Sequence, residues 1–255
     1  MMNNITMDGL MTTWRLWISC CLIILGGWTG CTMVSPPDGS GFTYQAIPVA
    51  TGTVPTGDGS SVTFRGKAIA LSGTGIQAGE RLRPAIVTRP DLSLMDLTET
   101  SGTIRIISVV PSLDTRVCEQ QTHYLSEKNQ GLDNLVSLYT VSVDTPFAQA
   151  RFAREAGIRN VSFFSDYRGA RFGRAHGLFI EDLHILARAI MVVDQYNVVR
   201  YLQVTPDLAS MPDMEAAFKA ARALISQESA TSRIASNFPP GDAPSRNPAE
   251  RLFTP

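Results

Sequence analysis

A run of β-branched and apolar residues, Ile104–Val110, passes directly into Pro111-Ser112-Leu113-Asp114-Thr115-Arg116-Val117-Cys118. Helical periodicity begins there, with Val117, Tyr124 and Leu125. A strand so largely apolar belongs in the buried middle of a sheet. Cys118 therefore falls in the first turn of a helix that follows a central strand. Unpaired amide N–H groups and the helix dipole favour an anion at that place, and hence the thiolate. Thr115, three residues earlier, can aim its hydroxyl at the sulfur, and Pro111 can shield the sulfur from water. A reactive thiolate also calls for a fixed cation. The candidate is Arg188, just before the apolar strand Ile190–Val193.

Strand and helix patterns alternate around this point. Val62–Arg65, Gly66 and Lys67–Leu71 predict a short hairpin, and Leu135–Val143 a strand ending at Asp144-Thr145-Pro146. Thr145 can cap a helix with Pro in its first turn, running to Gly157. Val161–Phe164 is a short strand, and Arg168–His176 is a helical stretch that stops at Gly177. Ala189–Val193 and Val198–Gln203 pair around Gln195-Tyr196-Asn197. Pro212–Ile225 is an amphipathic helix with Met214, Ala217, Phe218 and Ala221 on one face. A βαβ opening closed by a hairpin and a terminal helix is an α/β, thioredoxin-like order, with a central mixed sheet flanked by helices.

Both ends depart from globular composition. Arg15 is the only cation before the apolar run Leu16–Leu25, which continues through Gly26-Gly27 to Trp28-Thr29-Gly30-Cys31. A cation, an apolar stretch too short to span a bilayer, and small residues are the order of a secretory signal. Small residues ending at a Cys resemble a lipoprotein processing site, with Cys31 acylated. Residues 1–30 are then a signal peptide, although Trp28 departs from the usual Leu. By the same resemblance, Thr32 rather than Asp after the Cys favours the outer over the inner membrane, on the periplasmic side. The other reading is a misassigned start and a cytoplasmic product. Residues 31–60, rich in Gly, Pro, Ser and Thr, read as a flexible tether, and 226–255, with five Pro and many Ser, as a disordered tail. The domain itself is 61–225. Cys20 and Cys21 would leave with the signal, so Cys118 is the only free thiol of the mature protein, and an internal disulfide is excluded.

The neighbouring segments carry a resemblance. Pro111-x-x-x-Thr115-x-x-Cys118 after a strand looks like the active-site motif of the peroxiredoxins. Val62-Thr63-Phe64-Arg65-Gly66, Pro146-Phe147-Ala148-Gln149-Ala150-Arg151-Phe152 and Ala187-Arg188-Ala189 are similar to the bacterial thiol peroxidase branch. The resemblance implies a thiol peroxidase, reducing hydrogen peroxide and organic hydroperoxides. Cys118 would be the peroxidatic thiolate, Thr115 and Arg188 would hold it and polarise the O–O bond, and Pro111 would line the site. It also implies a homodimer. The family's resolving Cys falls where this chain has Ala153, so recycling through an external thiol is expected.

Other classes find less support. With 18% charged residues and a net charge of -1, no basic patch suggests nucleic acid. No Walker A loop, Rossmann glycine fingerprint or Cys-x-x-Cys is present, so no cofactor is expected. His123, His176 and His184 lack metal-ligand spacing. A Cys–His hydrolase using His176 or His184 lacks an orienting partner. The alternative of a different class is a thioredoxin-fold envelope lipoprotein without catalysis.

Overall fold

The computed structural model describes residues 42–236. The predicted signal peptide with Trp28, the acylation site Cys31 and the tail beyond 236 lie outside the described residues. The chain opens with the expected hairpin, β1 (Ser61–Phe64) and β2 (Lys67–Ala70). Its two-residue turn places Arg65 and Gly66 at φ of 52° and 77°. Positive φ at both turn positions matches the twist of the flanking strands.

Seven strands form the central sheet, in the order β11-β10-β5-β6-β7-β3-β4. In chain order they are β3 (Ile86–Thr88), β4 (Leu94–Asp96), β5 (Arg105–Val109), β6 (Ser137–Ser142), β7 (Ser162–Ser165), β10 (Ala189–Val193) and β11 (Val199–Val204). The strands β5, β6 and β7 run parallel, and the outer pairings are antiparallel. Helix α1 (Arg116–Glu127) connects β5 to β6, and α2 (Pro146–Glu155) connects β6 to β7. The short α3 (Arg171–Ala175) precedes the small ribbon β8 (Phe179–Ile180) and β9 (Ile185–Leu186). Helix α4 (Met214–Ser236) ends the described chain. This is the mixed α/β thioredoxin-like architecture.

Alternation along the strands divides the core in two, as the two-residue period of a strand requires. Ile106, Leu138, Phe163, Ile190 and Val192 face one side with Cys118, Leu125 and Phe218. Ile107, Val109, Val141, Phe164 and Met191 face the other, under Phe172 and Phe179. Thr145 caps α2 through a 3.3 Å bond to the Ala148 N–H, with Pro146 in the first turn. Gly177 sits at φ +63°, and an added Cβ would lie 2.3 Å from the Gly57 nitrogen, so only glycine fits this backbone crossing.

Two boundaries differ from the sequence expectation. Residues 42–60, read as a free tether, are docked on the domain. Val54 N–H donates to the Val204 carbonyl, Met211 N–H to Pro48, and Gly57 N–H to Gly177. These are backbone bonds, which composition does not reveal. The segment after Ile225, read as tail, continues α4 to Ser236. The Ser226 and Ser229 hydroxyls donate to the Arg222 and Ile225 carbonyls four residues back, a bond that lets Ser sit inside a helix. The first proline after the helix start is Pro239.

Candidate active site

The strand β5 delivers the chain to Pro111, buried at the strand exit, and α1 starts five residues later. The intervening loop is anchored by a residue that sequence reasoning overlooked. Asp144, at the end of β6, accepts the Ser112 hydroxyl and the Leu113 N–H, each at 2.7 Å. Asp114, in contrast, is exposed and faces Arg151 at 3.5 Å, a surface pair of small energetic weight.

Thr115 is the N-cap of α1, yet its side chain makes no capping bond. Its Oγ1 lies 2.9 Å from Cys118 Sγ and 3.1 Å from the Ser112 carbonyl. A hydroxyl has one proton, so these two acceptors share it in alternation. With a thiolate, the hydroxyl donates to sulfur. With a thiol, the S–H can donate to Oγ1 while the hydroxyl turns to Ser112. The first intrahelical bond is from Glu119 N–H to the Thr115 carbonyl, so the Arg116, Val117 and Cys118 amides begin the helix as first-turn donors.

Cys118 is fully buried, and so is the cation beside it. Arg188, 2% exposed, sits between β9 and β10, and its Nη2 lies 3.4 Å from Cys118 Sγ. Its Nη1 donates to Gln121 Oε1 at 2.8 Å and its Nε to the Leu208 carbonyl at 3.0 Å. No carboxylate pairs with Arg188 among the described residues. A buried guanidinium without a counter-charge is costly, and the sulfur is the one group in contact that can become an anion.

Thr115, Cys118 and Arg188 are thus brought together as expected, with Pro111 at the strand exit. Gln121 was not anticipated. It is fully buried, and its Nε2 donates to Ser108 Oγ at 2.8 Å and to the Ala189 carbonyl at 3.2 Å. Its place three residues after Cys118 puts it on the same helix face, and Ser108 is a polar interruption in an apolar strand; those two signals together could have found it. Arg116 is exposed.

The histidines serve elsewhere. His176 accepts the Arg83 N–H at 3.0 Å and lies 2.8 Å from the Phe172 carbonyl, and burial pushes its pKa down to about 4. His123 pairs with Glu127, and His184 packs against Phe179. Ala153 lies on α2, partly buried against the cluster that contains Cys118. Cys118 is the free cysteine among the described residues, and no group of metal-ligating residues occurs among them.

The family profile described as Redoxin matches residues 77–218, more than half of the chain. A thiol peroxidase of Halalkalibacterium halodurans is 40% identical over 166 residues, which is 65% of this chain and 99% of that protein. A thiol peroxidase of Streptococcus pneumoniae is 42% identical over 163 residues, 64% of this chain and 99% of that protein. Among solved structures, a peroxiredoxin-like protein from Aquifex aeolicus superposes with a TM-score of 0.59 at 31% identity, covering 64% of this chain and 96% of that one. The chain belongs to the Redoxin family, with the bacterial thiol peroxidases among its relatives.

Proposed function

We propose that this protein is a thiol-dependent peroxidase that reduces hydrogen peroxide and organic hydroperoxides at Cys118. The observation that carries the reading is the pairing of a buried, carboxylate-free guanidinium with a buried lone thiol, 3.4 Å apart. In the first step the thiolate attacks the terminal peroxide oxygen. The S–O bond forms as the O–O bond breaks, and the electron pair leaves on the departing oxygen, which takes a proton to become water or alcohol. Cys118 becomes sulfenic acid. Thr115 and the Arg188 Nη2 are the donors that face sulfur and the charge developing on the peroxide, the kind of fixed dipole that stabilises an oxyanion. Pro111 closes the sulfur off from bulk water.

In the second step, with alanine at position 153, an external thiol attacks the sulfenic sulfur. Water leaves and a mixed disulfide forms. A second equivalent of thiol releases Cys118 and carries away the disulfide. The purified protein with a small dithiol should consume hydrogen peroxide and cumene hydroperoxide, and Cys118→Ser should stop both. Peroxide consumption unchanged by that substitution would reject the assignment.

Membrane attachment belongs to the same proposal. It is supported by the order of cation, apolar run, small residues and Cys31, and it places the enzyme at the periplasmic face of the envelope. No helix among the described residues is long and apolar enough to cross a membrane. Palmitate labelling lost in Cys31→Ala is the expected result, and labelling retained in that variant would exclude acylation at Cys31. The homodimer implied by the resemblance is tested by light scattering of the purified protein.

A further inference from the structure

Arg188 is held by two supports that do not belong to its own strands. One is Gln121 on α1, and the other is the Leu208 carbonyl in the loop between β11 and α4. The segment Phe42–Val54 lies before the first residue of the family match and bonds to a neighbour of each support, Gln120 on α1 and Met211 in the loop. On α1, Gln120 and Gln45 form a reciprocal pair. Gln45 N–H donates to Gln120 Oε1 at 2.7 Å, and Gln120 Nε2 donates to the Gln45 carbonyl at 3.0 Å. Phe42 stacks on His123 with ring centres 4.1 Å apart, and the Tyr44 hydroxyl donates to Glu127 at 2.9 Å. Three residues further on, Pro48 accepts the Met211 N–H at 2.7 Å and Ala50 N–H donates to the Met211 carbonyl at 2.8 Å. Gln203 adds two bonds from its Nε2, to the Ala50 and Gly52 carbonyls, both at 3.0 Å, while its Oε1 accepts the Asp213 N–H.

We propose that this N-terminal strap is a positioning element of the Cys118 site, splinting α1 to the 205–213 loop so that the Arg188 guanidinium keeps its aim at the sulfur. The physical ground is the shortness of the connection. Gln45 and Pro48 are three residues apart, so the chain between them spans at most about 11 Å and limits how far α1 at Gln120 and the loop at Met211 can separate. Gln120 is the residue beside Gln121, and it is 6% exposed. The bonds to its side chain therefore hold the turn of α1 that carries Gln121, the acceptor of Nη1. Loss of the strap contacts would leave the helix and the loop free to shift independently, and a donor displaced by an ångström loses most of its effect on a reacting centre. Gln120 and Phe42 act through Arg188 and touch neither sulfur nor peroxide.

The consequence for activity rests on the peroxidase reading, whereas the mechanical claim does not. Gln120→Ala and Phe42→Ala are made separately in the otherwise intact chain. Three quantities are measured for each: the rate of Cys118 with hydrogen peroxide, its rate with iodoacetamide, and solvent exchange of the Arg188 Nε–H by nitrogen-15 NMR. The splint predicts a peroxide reaction at least tenfold slower, alkylation slowed by a smaller factor so that the peroxide-to-alkylation ratio falls, and Nε–H exchange at least tenfold faster. Gln120→Glu, which keeps the acceptor for Gln45 N–H and loses the donor, should fall between parent and Gln120→Ala. A strap that merely stabilises the fold would lower the melting temperature of both variants and leave both the peroxide-to-alkylation ratio and the exchange rate at parental values. That result would overturn the proposal. Should the parent protein itself fail to react with peroxide, the peroxidase reading falls, and the exchange rate alone decides the splint.

Discussion

Arg188→Lys retains a cation beside Cys118 and replaces a rigid planar fork by a compact ammonium on a flexible stem. The fork now makes three bonds in three directions: to the Leu208 carbonyl at 3.0 Å, to Gln121 Oε1 at 2.8 Å, and to Cys118 Sγ at 3.4 Å. One ammonium nitrogen cannot occupy all three places. If it stays near Leu208 and Gln121, the donor aimed at sulfur and peroxide is lost. Removing one donor from a developing oxyanion costs about 2.7–4 kcal/mol in other enzymes, or about 10²–10³-fold in rate. If it moves toward sulfur instead, two buried acceptors lose charge-assisted bonds, each worth about 1.5–3 kcal/mol. The first outcome appears in the rate and the second in the melting temperature. Trp14, Trp17 and Trp28 all precede the described domain, so intrinsic tryptophan fluorescence is a poor probe. Quenched-flow trapping of the sulfenic acid with dimedone, read by mass spectrometry, gives the second-order rate constant directly. A rate constant within threefold of the parent, with unchanged stability, would refute the idea that the guanidinium geometry matters.

Three further outcomes are expected. Thr115→Val deletes the hydroxyl 2.9 Å from Sγ and should slow peroxide reduction about 10–100-fold, while Thr115→Ser stays within about threefold; the same trapping assay decides it. Gly177→Ala forces a Cβ against the Gly57 nitrogen at positive φ and should cost on the order of 2–4 kcal/mol, seen as a lowered denaturant midpoint at unchanged slope. His176, with a folded pKa of about 4 against 6.5 unfolded, binds its proton in the unfolded chain first. Its contribution is therefore fully present above about 6.5 and is lost as the pH falls toward 4, worth on the order of 3 kcal/mol. Asp166 acts oppositely in the overlapping window, because burial raises its pKa to about 6 and the folded chain takes that proton first. The stability difference between parent and His176→Gln across pH 7 to 4 isolates the histidine, and a constant difference would contradict it.

The strand–loop–helix unit around Cys118 was legible because its signals are local: an apolar run, a proline, and a threonine three residues before the cysteine. Arg188 could be named from its place before an apolar strand, but its contacts with Gln121 and Leu208 join residues far apart in the chain. Gln121 left only a faint trace, its spacing from Cys118 and the polar Ser108 in β5. The short strands β3 and β4 were missed because three residues are too few to show alternation, and their register is set by pairing with each other and, for β3, with β7. The strap was misread because its Gly, Pro and Thr content resembles a linker. It is held mainly by backbone bonds and glutamine amides, which hydropathy does not register. The end of α4 was lost to its serines, whose hydroxyls bond within the helix.

A single-turnover titration tests the Cys118 assignment most directly. Reduced protein, free of added thiol, is mixed with increasing hydrogen peroxide and trapped with dimedone, and the adduct is located by peptide mass spectrometry. One sulfenic acid per chain, formed only on Cys118, unaccompanied by an internal disulfide and abolished by Cys118→Ser, is the predicted result. Peroxide left unconsumed by the reduced parent, or an adduct carried by a residue other than Cys118, would contradict the account.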